Sequence, residues 1–336
     1  MVDTAGTKQL KVKHPDYFLV SVSTRNHLEL CLKYSLAGFL GSGNGLWTFC
    51  EIQEGDYLSF LYGARVHNLY HVVGKHALVN SENAPPWPSV TFTSGLTYWF
   101  PFRLVLQPVR QFNEPLVRDE FAYVAENLLL RGGYRRTHFQ ADQTTLQFVS
   151  QTGTTRNNGV ERLTVDSAFY VPRFVRTKSE LGPGTFQFSE KILQAAVRHR
   201  LSKPDGCTLM FTLLHTGASP WPSLEALGEK ALPQGNVDIL VKNPVSIGRT
   251  PKVPVEVKLN RASRDDVRQL RGYMDELGSE SLAGMLIASS FSKDALLEAD
   301  SLGIITVRYS LGIDMNLPQS FEEVCANIKL HPAGDV

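Results

Sequence analysis

Three side chains whose types and spacing could do chemistry lie between residues 235 and 262. Asp238 sits in a short apolar stretch, and Glu256 and Lys258 sit in a second, valine-rich stretch. We expect both stretches to be strands. Because successive side chains of a strand alternate between its faces, Glu256 and Lys258 share one face and the valines take the other. If the two strands pair, all three polar side chains converge on one site beside a buried apolar layer.

The chemistry that this site favours is metal-assisted attack on a phosphate. Two carboxylates with no His or Cys nearby suit a hard cation such as Mg²⁺, which takes oxygen ligands and keeps waters. A lysine beside them can stabilise developing phosphate charge or orient a metal-activated water. The alternative is that Glu256 and Lys258 form a solvated strand face with no chemical role.

A helix is expected to follow the second strand and to add two more polar groups. Ser263, with Asp266 three residues later, resembles a capping box. Apolar residues then recur at helical spacing as far as Leu277. Gln269 and Tyr273 lie four residues apart on a different stripe, so both can face the site.

These residues together resemble a known family. Asp238 followed by Glu256-x-Lys258 resembles the PD-(D/E)XK nuclease core, and Gln269-x-x-x-Tyr273 resembles the branch with a QxxxY helix. The stretch VEVKLNRASRDDVRQLRGYM is especially similar to the C-terminal nuclease domain of archaeal and actinobacterial mismatch endonucleases. The resemblance covers about residues 186–310.

The resemblance implies a role for each matching residue. Asp238 and Glu256 would be metal ligands, and Lys258 would assist the attacking water. Gln269 and Tyr273 would support the site or the nearby phosphates. The implied cofactor is Mg²⁺, with Mn²⁺ as a substitute.

Two further positions bear on the match. The family often adds an acidic residue on the first core helix, for which Glu190 is the candidate metal ligand and Glu225 and Glu229 are rivals. Pro254 departs from the pattern because it lies in a strand that should be central. Since Pro is tolerated at a strand's first residue or beside a bulge, we expect ladder pairing to begin at Val255.

The segments around this core predict a mixed α/β sheet. A helix is expected over residues 188–201 and a strand over the apolar run 207–214. Strands are expected over 284–289 and 303–309, with a helix between them. A last helix is expected over 317–330.

The composition describes an ordinary soluble globular chain of 336 residues, 43% hydrophobic and 20% charged. Its net charge of +1 means that contact with nucleic acid must rely on local charge. The four cysteines lack C-x-x-C spacing, which argues against zinc and against a disulfide framework and favours a reducing cytoplasm. No signal-peptide pattern or membrane-length apolar run appears, and no P-loop motif is present. We therefore expect neither a membrane nor a nucleoside triphosphate as a partner.

The N-terminal part of the chain predicts strands joined by Gly- and Pro-rich loops. A strand is expected over residues 16–23, and the segment GSGNGLWTF is expected to be a Gly-rich loop leading into Trp47. Gly55-Asp56 predicts a turn before another strand. The loop NAPPWPSV carries Trp87, and YWFPFRLVL returns to strand.

These features resemble the EVE/YTH group of the PUA-like superfamily over about residues 14–115. The resemblance implies a compact β-barrel that reads a modified base of nucleic acid in an aromatic pocket. Trp47 matches the first aromatic of that pocket, Trp87 is the candidate for the second, and Trp99 and Tyr98 are further candidates. Stacking of a flipped base on an aromatic ring is worth about 1–3 kcal/mol, and a methyl group adds about 0.8 kcal/mol. Tryptophans of small barrels are also frequently core residues, so that alternative stays open.

A basic tract separates the two parts. Residues 131–178 hold eight Lys or Arg against three Asp or Glu, interleaved with aromatic residues. Arg131, Arg135 and Arg136 at its start are the candidate DNA-binding residues, because local positive charge suits phosphate contacts. A solvated basic surface is the alternative.

The sequence thus predicts an α+β protein of two domains. A tail over 1–13 precedes a base-reader domain over 14–160, a basic linker over 161–186 and a nuclease domain over 187–330. The predicted function is a modification-dependent DNA endonuclease, a type of restriction enzyme, that acts on double-stranded DNA as a homodimer. The alternatives are a mismatch- or structure-specific DNA endonuclease and a non-catalytic nucleic-acid-binding protein.

Overall fold

The computed structural model describes residues 15–117, 137–156, 160–177, 182–214, 223–232, 235–245 and 248–333. These residues form an α+β protein with two large sheets, one in each half of the chain. The predicted tail over 1–13 lies outside the described residues. No helix in the described ranges has the length and apolar character needed to cross a membrane.

The helices are α1 (Arg25–Tyr34), α2 (Gly43–Glu51), α3 (Gln143–Ser150), α4 (Glu190–Leu201), α5 (Gly206–Leu214), α6 (Arg264–Leu277), α7 (Lys293–Ser301) and α8 (Phe321–Asn327). The strands of the N-terminal half are β1 (Tyr17–Ser21), β2 (Leu36–Phe39), β3 (Tyr57–Tyr62), β4 (Arg65–Leu78), β5 (Val90–Thr91), β6 (Thr97–Tyr98), β7 (Phe102–Gln111), β8 (His138–Ala141) and β9 (Thr154–Thr155). The remaining strands are β10 (Phe169–Tyr170), β11 (Arg173–Val175), β12 (Thr185–Gln187), β13 (Glu225–Leu232), β14 (Gly235–Lys242), β15 (Lys252–Ala262), β16 (Gly284–Phe291), β17 (Ile304–Leu311), β18 (Gln319–Ser320) and β19 (Ile328–Pro332).

The N-terminal sheet follows the order β2-β7-β4-β3-β1-β8. β1 and β3 run parallel, and the other neighbours along this path are antiparallel. Among the described strands, β2 and β8 are not paired with each other, so the sheet is open and the predicted PUA-like barrel is not closed. The apolar face of this sheet, including Phe18 and Leu58, is instead buried in one core with Ile192 and Leu193 of α4.

The segment GSGNGLWTF is a helix rather than the predicted Gly-rich loop. Ser42 caps α2 by accepting a hydrogen bond from the Gly45 amide at 3.3 Å. Leu46, Trp47 and Phe49 are buried, so the helix is stabilised by packing that outweighs the poor helix propensity of its glycines.

Two other predicted elements differ in the C-terminal half. Residues 207–214 belong to α5 instead of a strand, because a short apolar run does not by itself distinguish the two, and Met210, Leu213 and Leu214 are buried at helical spacing. The predicted helix over 317–330 is shorter. It ends at Asn327 and is followed by β19, which pairs with β17.

The C-terminal sheet follows the order β13-β14-β15-β16-β17-β19. Its central strands β15, β16 and β17 run parallel, whereas β13, β14 and β19 pair antiparallel. Valines of β15 pack with α4 on one face, and α6 and α7 cover the other face. The mixed α/β sheet predicted for this half is confirmed.

Pro254 lies inside the ladder between β14 and β15, where it is paired with Leu240. The expectation that pairing begins at Val255 is therefore wrong on this side. On the opposite side it is correct, because the parallel ladder with β16 begins at the pair Val255–Met285. A proline is tolerated here because the ladder with β16 has not begun at this position, so no partner on that side needs the N–H that proline lacks.

The two halves share one hydrophobic core and a buried ion network. The guanidinium of Arg198 in α4 donates to Asp16 Oδ2 at 2.9 Å and to the Glu51 carboxylate, and its side chain is 1% exposed. The predicted linker over 161–186 contains β10, which pairs with β4, and β11, which pairs with β12 and β18. The division into two domains stays a prediction.

Candidate active site

The pairing of β14 with β15 brings the two predicted carboxylates together. The ladder ends at the pair Ile239–Val255, and Asp238 and Glu256 are the next residues on the two strands. Asp238 Oδ2 accepts a hydrogen bond from the Val257 amide at 2.8 Å. Glu256 is 2% exposed, and its Oε2 makes no hydrogen bond within the described part of the chain. A buried, unbonded carboxylate oxygen is costly, so it marks a position where a ligand is expected.

Lys258 lies beside this pair. Its Nζ donates to Glu256 Oε1 at 2.9 Å and lies 3.4 Å from Asp266 Oδ1. Asp266 also accepts from the amide and hydroxyl of Ser263, which confirms the predicted capping box. The sequence assigned Asp266 only to the cap. Its second contact follows from the strand and the helix being adjacent, a signal that was present in the chain order.

Gln269 and Tyr273 face the site from α6, as their spacing predicted. Gln269 Nε2 lies 3.1 Å from Glu256 Oε1 and 2.9 Å from the Tyr273 hydroxyl. The Tyr273 hydroxyl donates in turn to the Asn236 carbonyl at 3.1 Å. A Cβ atom at Gly235 would lie 2.7 Å from this hydroxyl, so the close approach of Tyr273 to β14 requires glycine there.

Glu190 reaches the site from the first residue of α4. Its Oε2 accepts from the Leu259 amide at 3.0 Å, where the ladder between β15 and β16 shifts register after Lys258. Bulges of this kind re-aim neighbouring side chains and are frequent next to active sites. The rival Glu225 is elsewhere, since it accepts from the Gln143 amide and lies 3.2 Å from Lys242. The other rival, Glu229, is buried in β13 with φ of 54°.

The carboxylates of Asp238, Glu256 and Glu190 all interact with the ammonium group of Lys258. Burial raises the pKa of Asp238 well above its usual range, and the neighbouring charge of Glu256 raises it further. Burial also raises the pKa of Glu256, although Lys258 opposes this. For Lys258, burial alone would lower the pKa, but Glu256, Asp238 and Glu190 outweigh it and raise the pKa, so the ammonium stays charged.

The acidic residues fit a cation held by two carboxylates. Among the residues that the structure describes, no three Asp, Glu, His or Cys side chains are arranged to hold a metal ion. Asp238, Glu256 and Glu190 do not form such a group here, and one oxygen of Glu190 is bonded to the Leu259 amide, so the role of Glu190 as a third ligand stays a prediction. The pair Asp238 and Glu256 remains, with the Oε2 of Glu256 unbonded. Mg²⁺ is commonly bound by one or two carboxylates together with waters and substrate phosphates, so the pair fits that ion.

A cavity of about 390 Å³ borders the site through Leu259. Tyr309 lines it and donates from its hydroxyl to the Leu259 carbonyl at 2.5 Å. Arg176 also lines it, and its side chain is exposed. Asp314 lines the cavity as well, so charges of both signs border it, and Asp238, Glu256 and Lys258 are not among its lining residues.

The tryptophans predicted for a base pocket are not gathered into one. Trp47 is 2% exposed, and its ring lies 4.4 Å from the His138 ring. Trp87 is 3% exposed and fills the space above Gly38, where a Cβ would lie 2.3 Å from the ring. Trp99 is half-buried, with an indole N–H that has no partner among the described residues. Stacking of a base on Trp47 or Trp87 would require their protein neighbours to move.

The predicted DNA-binding residues Arg131, Arg135 and Arg136 lie outside the described residues. Farther along the same tract, Arg162 donates to the Leu106 carbonyl at 3.0 Å, and Arg173 donates to the Pro318 carbonyl at 3.1 Å. The basic tract is thus partly used for contacts within the protein.

Comparisons with known proteins give partial matches. EndoMS, in the structure of the EndoMS–dsDNA2 complex, is 29% identical over 25% of this chain and 36% of that chain, with a TM-score of 0.22. A repair endonuclease from Pyrococcus abyssi is 22% identical over 30% of this chain and 42% of that chain, with a TM-score of 0.23. Each match spans less than half of the solved chain. No protein-family model matches the chain, and no curated protein matches it.

Proposed function

We propose that this protein is a Mg²⁺-dependent DNA endonuclease whose active site is built from Asp238, Glu256 and Lys258. The observation that carries the proposal is the buried Glu256 carboxylate. One of its oxygens is held by Lys258 and Gln269, and the other is unbonded. Glu225 beside Lys242 also has a buried unbonded oxygen, so the distinguishing feature of Glu256 is the second buried carboxylate, Asp238, next to it. A solvated strand face does not call for two adjacent buried carboxylates, whereas a metal site does.

The residues of the chain would divide the work as follows. Asp238 and Glu256 would hold Mg²⁺, which would supply Lewis acidity for attack by water. Lys258, with its raised pKa, stays positively charged and stabilises charge that develops on the phosphate. Gln269 fixes the orientation of Glu256, and the Tyr273 hydroxyl fixes Gln269.

The proposal also names the target of the nuclease. The sequence resemblance over residues 14–115 supports a modified base in double-stranded DNA, so the protein would restrict foreign modified DNA in the cytoplasm. Cutting both strands takes two active sites, which supports a homodimer. Because Trp47 and Trp87 are packed in the core, the base would be held by other side chains.

The experiment is a cleavage assay on matched duplexes with Mg²⁺, Mn²⁺ or EDTA. The duplexes carry unmodified cytosine, 5-methylcytosine, 5-hydroxymethylcytosine or N6-methyladenine. We expect cutting that requires either metal ion and favours one modified duplex. Equal cutting of all four duplexes would move the target to mismatches or DNA structure, and a mismatched duplex would be tested next.

The variant Lys258→Ala tests the site itself. Loss of a group that stabilises transition-state charge costs about 10²–10³-fold in rate. Lys252→Ala is the control, because Lys252 lies on the same strand but pairs with Glu280 at 2.6 Å. A Lys258→Ala protein that cuts as fast as the wild type, or wild-type cutting that persists in EDTA, would remove the assignment.

A further inference from the structure

A second cavity, of about 320 Å³, lies where the two halves of the chain meet. Three aromatic side chains line it: Phe49 of α2, Tyr170 of β10 and Phe321 of α8. Phe49 and Phe321 are buried, whereas Tyr170 is half-buried. The volume is at the small end of the range of about 300–1,000 Å³ that is usual for ligand pockets, so it suits a small planar group.

Polar groups of both kinds line the same cavity. Lys75 Nζ donates to the Ile52 carbonyl at 2.7 Å and lies 4.7 Å from the centre of the Phe49 ring. An ammonium has three N–H donors, so that bond leaves donors for a ligand. Gln53 adds an amide, and Glu54 and Glu322 add two exposed carboxylates. Burial lowers the pKa of Lys75, which fits a lysine set into a wall rather than on open surface.

We propose that this cavity receives a single nucleobase extruded from a DNA duplex. A flipped base needs aromatic faces for stacking and donors and acceptors for its Watson–Crick edge. An ammonium beside a carboxylate matches an edge that combines an amino group with acceptors, as in cytosine and adenine. This inference rests on the proposed function, since it gives the endonuclease its recognition site.

The position of the cavity connects base recognition to the candidate active site. α2 and α8, which provide two of its walls, both pack against α4. The ring of Phe321 meets the ring of His199 edge-on at 5.4 Å, and Glu51 at the end of α2 is bonded to Arg198. α4 begins at Glu190, which contacts the Leu259 amide beside Lys258. A base in the cavity would therefore touch the helices that support the helix carrying Glu190.

The test measures binding and cutting separately in the full chain. Dissociation constants are measured in EDTA for five duplexes: unmodified, 5-methylcytosine, 5-hydroxymethylcytosine, N6-methyladenine and single-mismatch. We expect the wild type to prefer one duplex. Since base stacking on one aromatic ring is worth about 1–3 kcal/mol, Tyr170→Ala should reduce that preference about tenfold or more.

The matched variants separate stacking from side effects. Tyr170→Phe keeps the ring and should keep the preference. Phe169→Ala removes the neighbouring exposed ring, which stacks on His76 at 4.2 Å and does not line the cavity, and should also keep it. Lys75→Met removes the donor at similar length and should reduce the preference. If thermal unfolding shows that Tyr170→Ala does not fold, Lys75→Met decides.

Each outcome bears on a different claim. Equal affinity of the wild type for all five duplexes would overturn the cavity proposal, and so would an unchanged preference in both Tyr170→Ala and Lys75→Met. The nuclease proposal fails separately, through undiminished cutting by Lys258→Ala. A Lys258→Ala protein that binds with the wild-type preference but does not cut would support both.

Discussion

The C-terminal and N-terminal halves of the chain bury their most distinctive side chains at opposite energetic cost. In the C-terminal sheet, Asp238 and Glu256 are held against each other at a cost, because burial and mutual repulsion raise the pKa of Asp238. In the N-terminal half, burial of the Trp47 and Trp87 rings stabilises the fold, and the one opposing cost at Trp47 is its neutral indole N–H, which has no partner among the described residues. Burial of a tryptophan needs no function to explain it, whereas burial of two adjacent carboxylates does. Unfavourable burial is therefore the better mark of a site in this molecule.

The substitution Asp238→Asn tests the contrast between the two halves most directly. The amide keeps an acceptor for the Val257 N–H but removes a metal ligand and a repulsive charge. We expect cleavage to fall by about 10³-fold or more, equivalent to about 4 kcal/mol, while the melting temperature rises. Cleavage kinetics and thermal unfolding at pH 7 check both directions. A variant that loses stability as well as activity would show that Asp238 is structural.

Trp47→Ala tests the other side. Removal of a buried aromatic side chain costs about 3–5 kcal/mol. We expect this loss in denaturant unfolding, with little loss for Trp99→Ala, which serves as the matched control. If Trp47→Ala is as stable as the wild type but no longer distinguishes modified duplexes, Trp47 is a ligand residue. The contrast between favourable burial in the N-terminal half and costly burial in the C-terminal half would then be wrong.

Glu190 and Glu225 give a paired test within the C-terminal half. Glu190→Gln should slow cleavage about tenfold or more, since Glu190 helps to raise the pKa of Lys258 and holds the Leu259 amide. Glu225→Gln should leave cleavage unchanged, because Glu225 lies with Lys242 and Asp142 away from the site. Cleavage lost in Glu225→Gln and kept in Glu190→Gln would reverse the assignment.

Glu225→Gln should change how stability depends on pH. Burial raises the pKa of Glu225 to about 7 from its usual 4.5, so the folded state keeps a proton that the unfolded state releases. The stability from that proton is complete below pH 4.5 and is lost as the pH rises through about 7. The variant should therefore gain stability over the wild type at pH 8 relative to pH 4.5. The same difference in unfolding free energy between the variant and the wild type at both pH values would contradict this.

The smallest expected effect is that of Tyr273→Phe. The hydroxyl bonds to Gln269 and to the Asn236 carbonyl, and loss of one such hydrogen bond costs about 0.5–1.5 kcal/mol. We expect a small loss of stability and a modest loss of cleavage, checked against Tyr98→Phe in the N-terminal half. An effect on cleavage as large as that of Asp238→Asn would give Tyr273 a direct catalytic role.

The two halves also differ in how much of them can be read from sequence. Alternation along a strand fixes which face a side chain takes, so the meeting of Glu256 with Gln269 could be predicted from spacing. The contact of Glu190 with the Leu259 amide lies at a strand irregularity that spacing does not encode. The mixed sheet could also be predicted, because strands alternate with helices along this part of the sequence.

The misread elements have one physical cause. Local propensity alone favours a loop for the glycines of Gly43–Glu51 and a strand for the apolar run of Gly206–Leu214. Tertiary packing makes both segments helices. The same packing took Trp47 and Trp87 into the core. An aromatic residue suits a core and a ligand pocket equally, so residue type alone could not separate the two.

The core that runs through both halves limits how this protein can be cut and recombined. Phe18 and Leu58 share it with Ile192 and Leu193, and Arg198 of one half pairs with Asp16 and Glu51 of the other. Either half expressed alone would present this apolar surface and unpaired buried charge to water. Transplanting the half that holds Asp238 and Glu256 onto another protein would therefore require its facing surface to be redesigned, which is not needed for modules joined by a free tether.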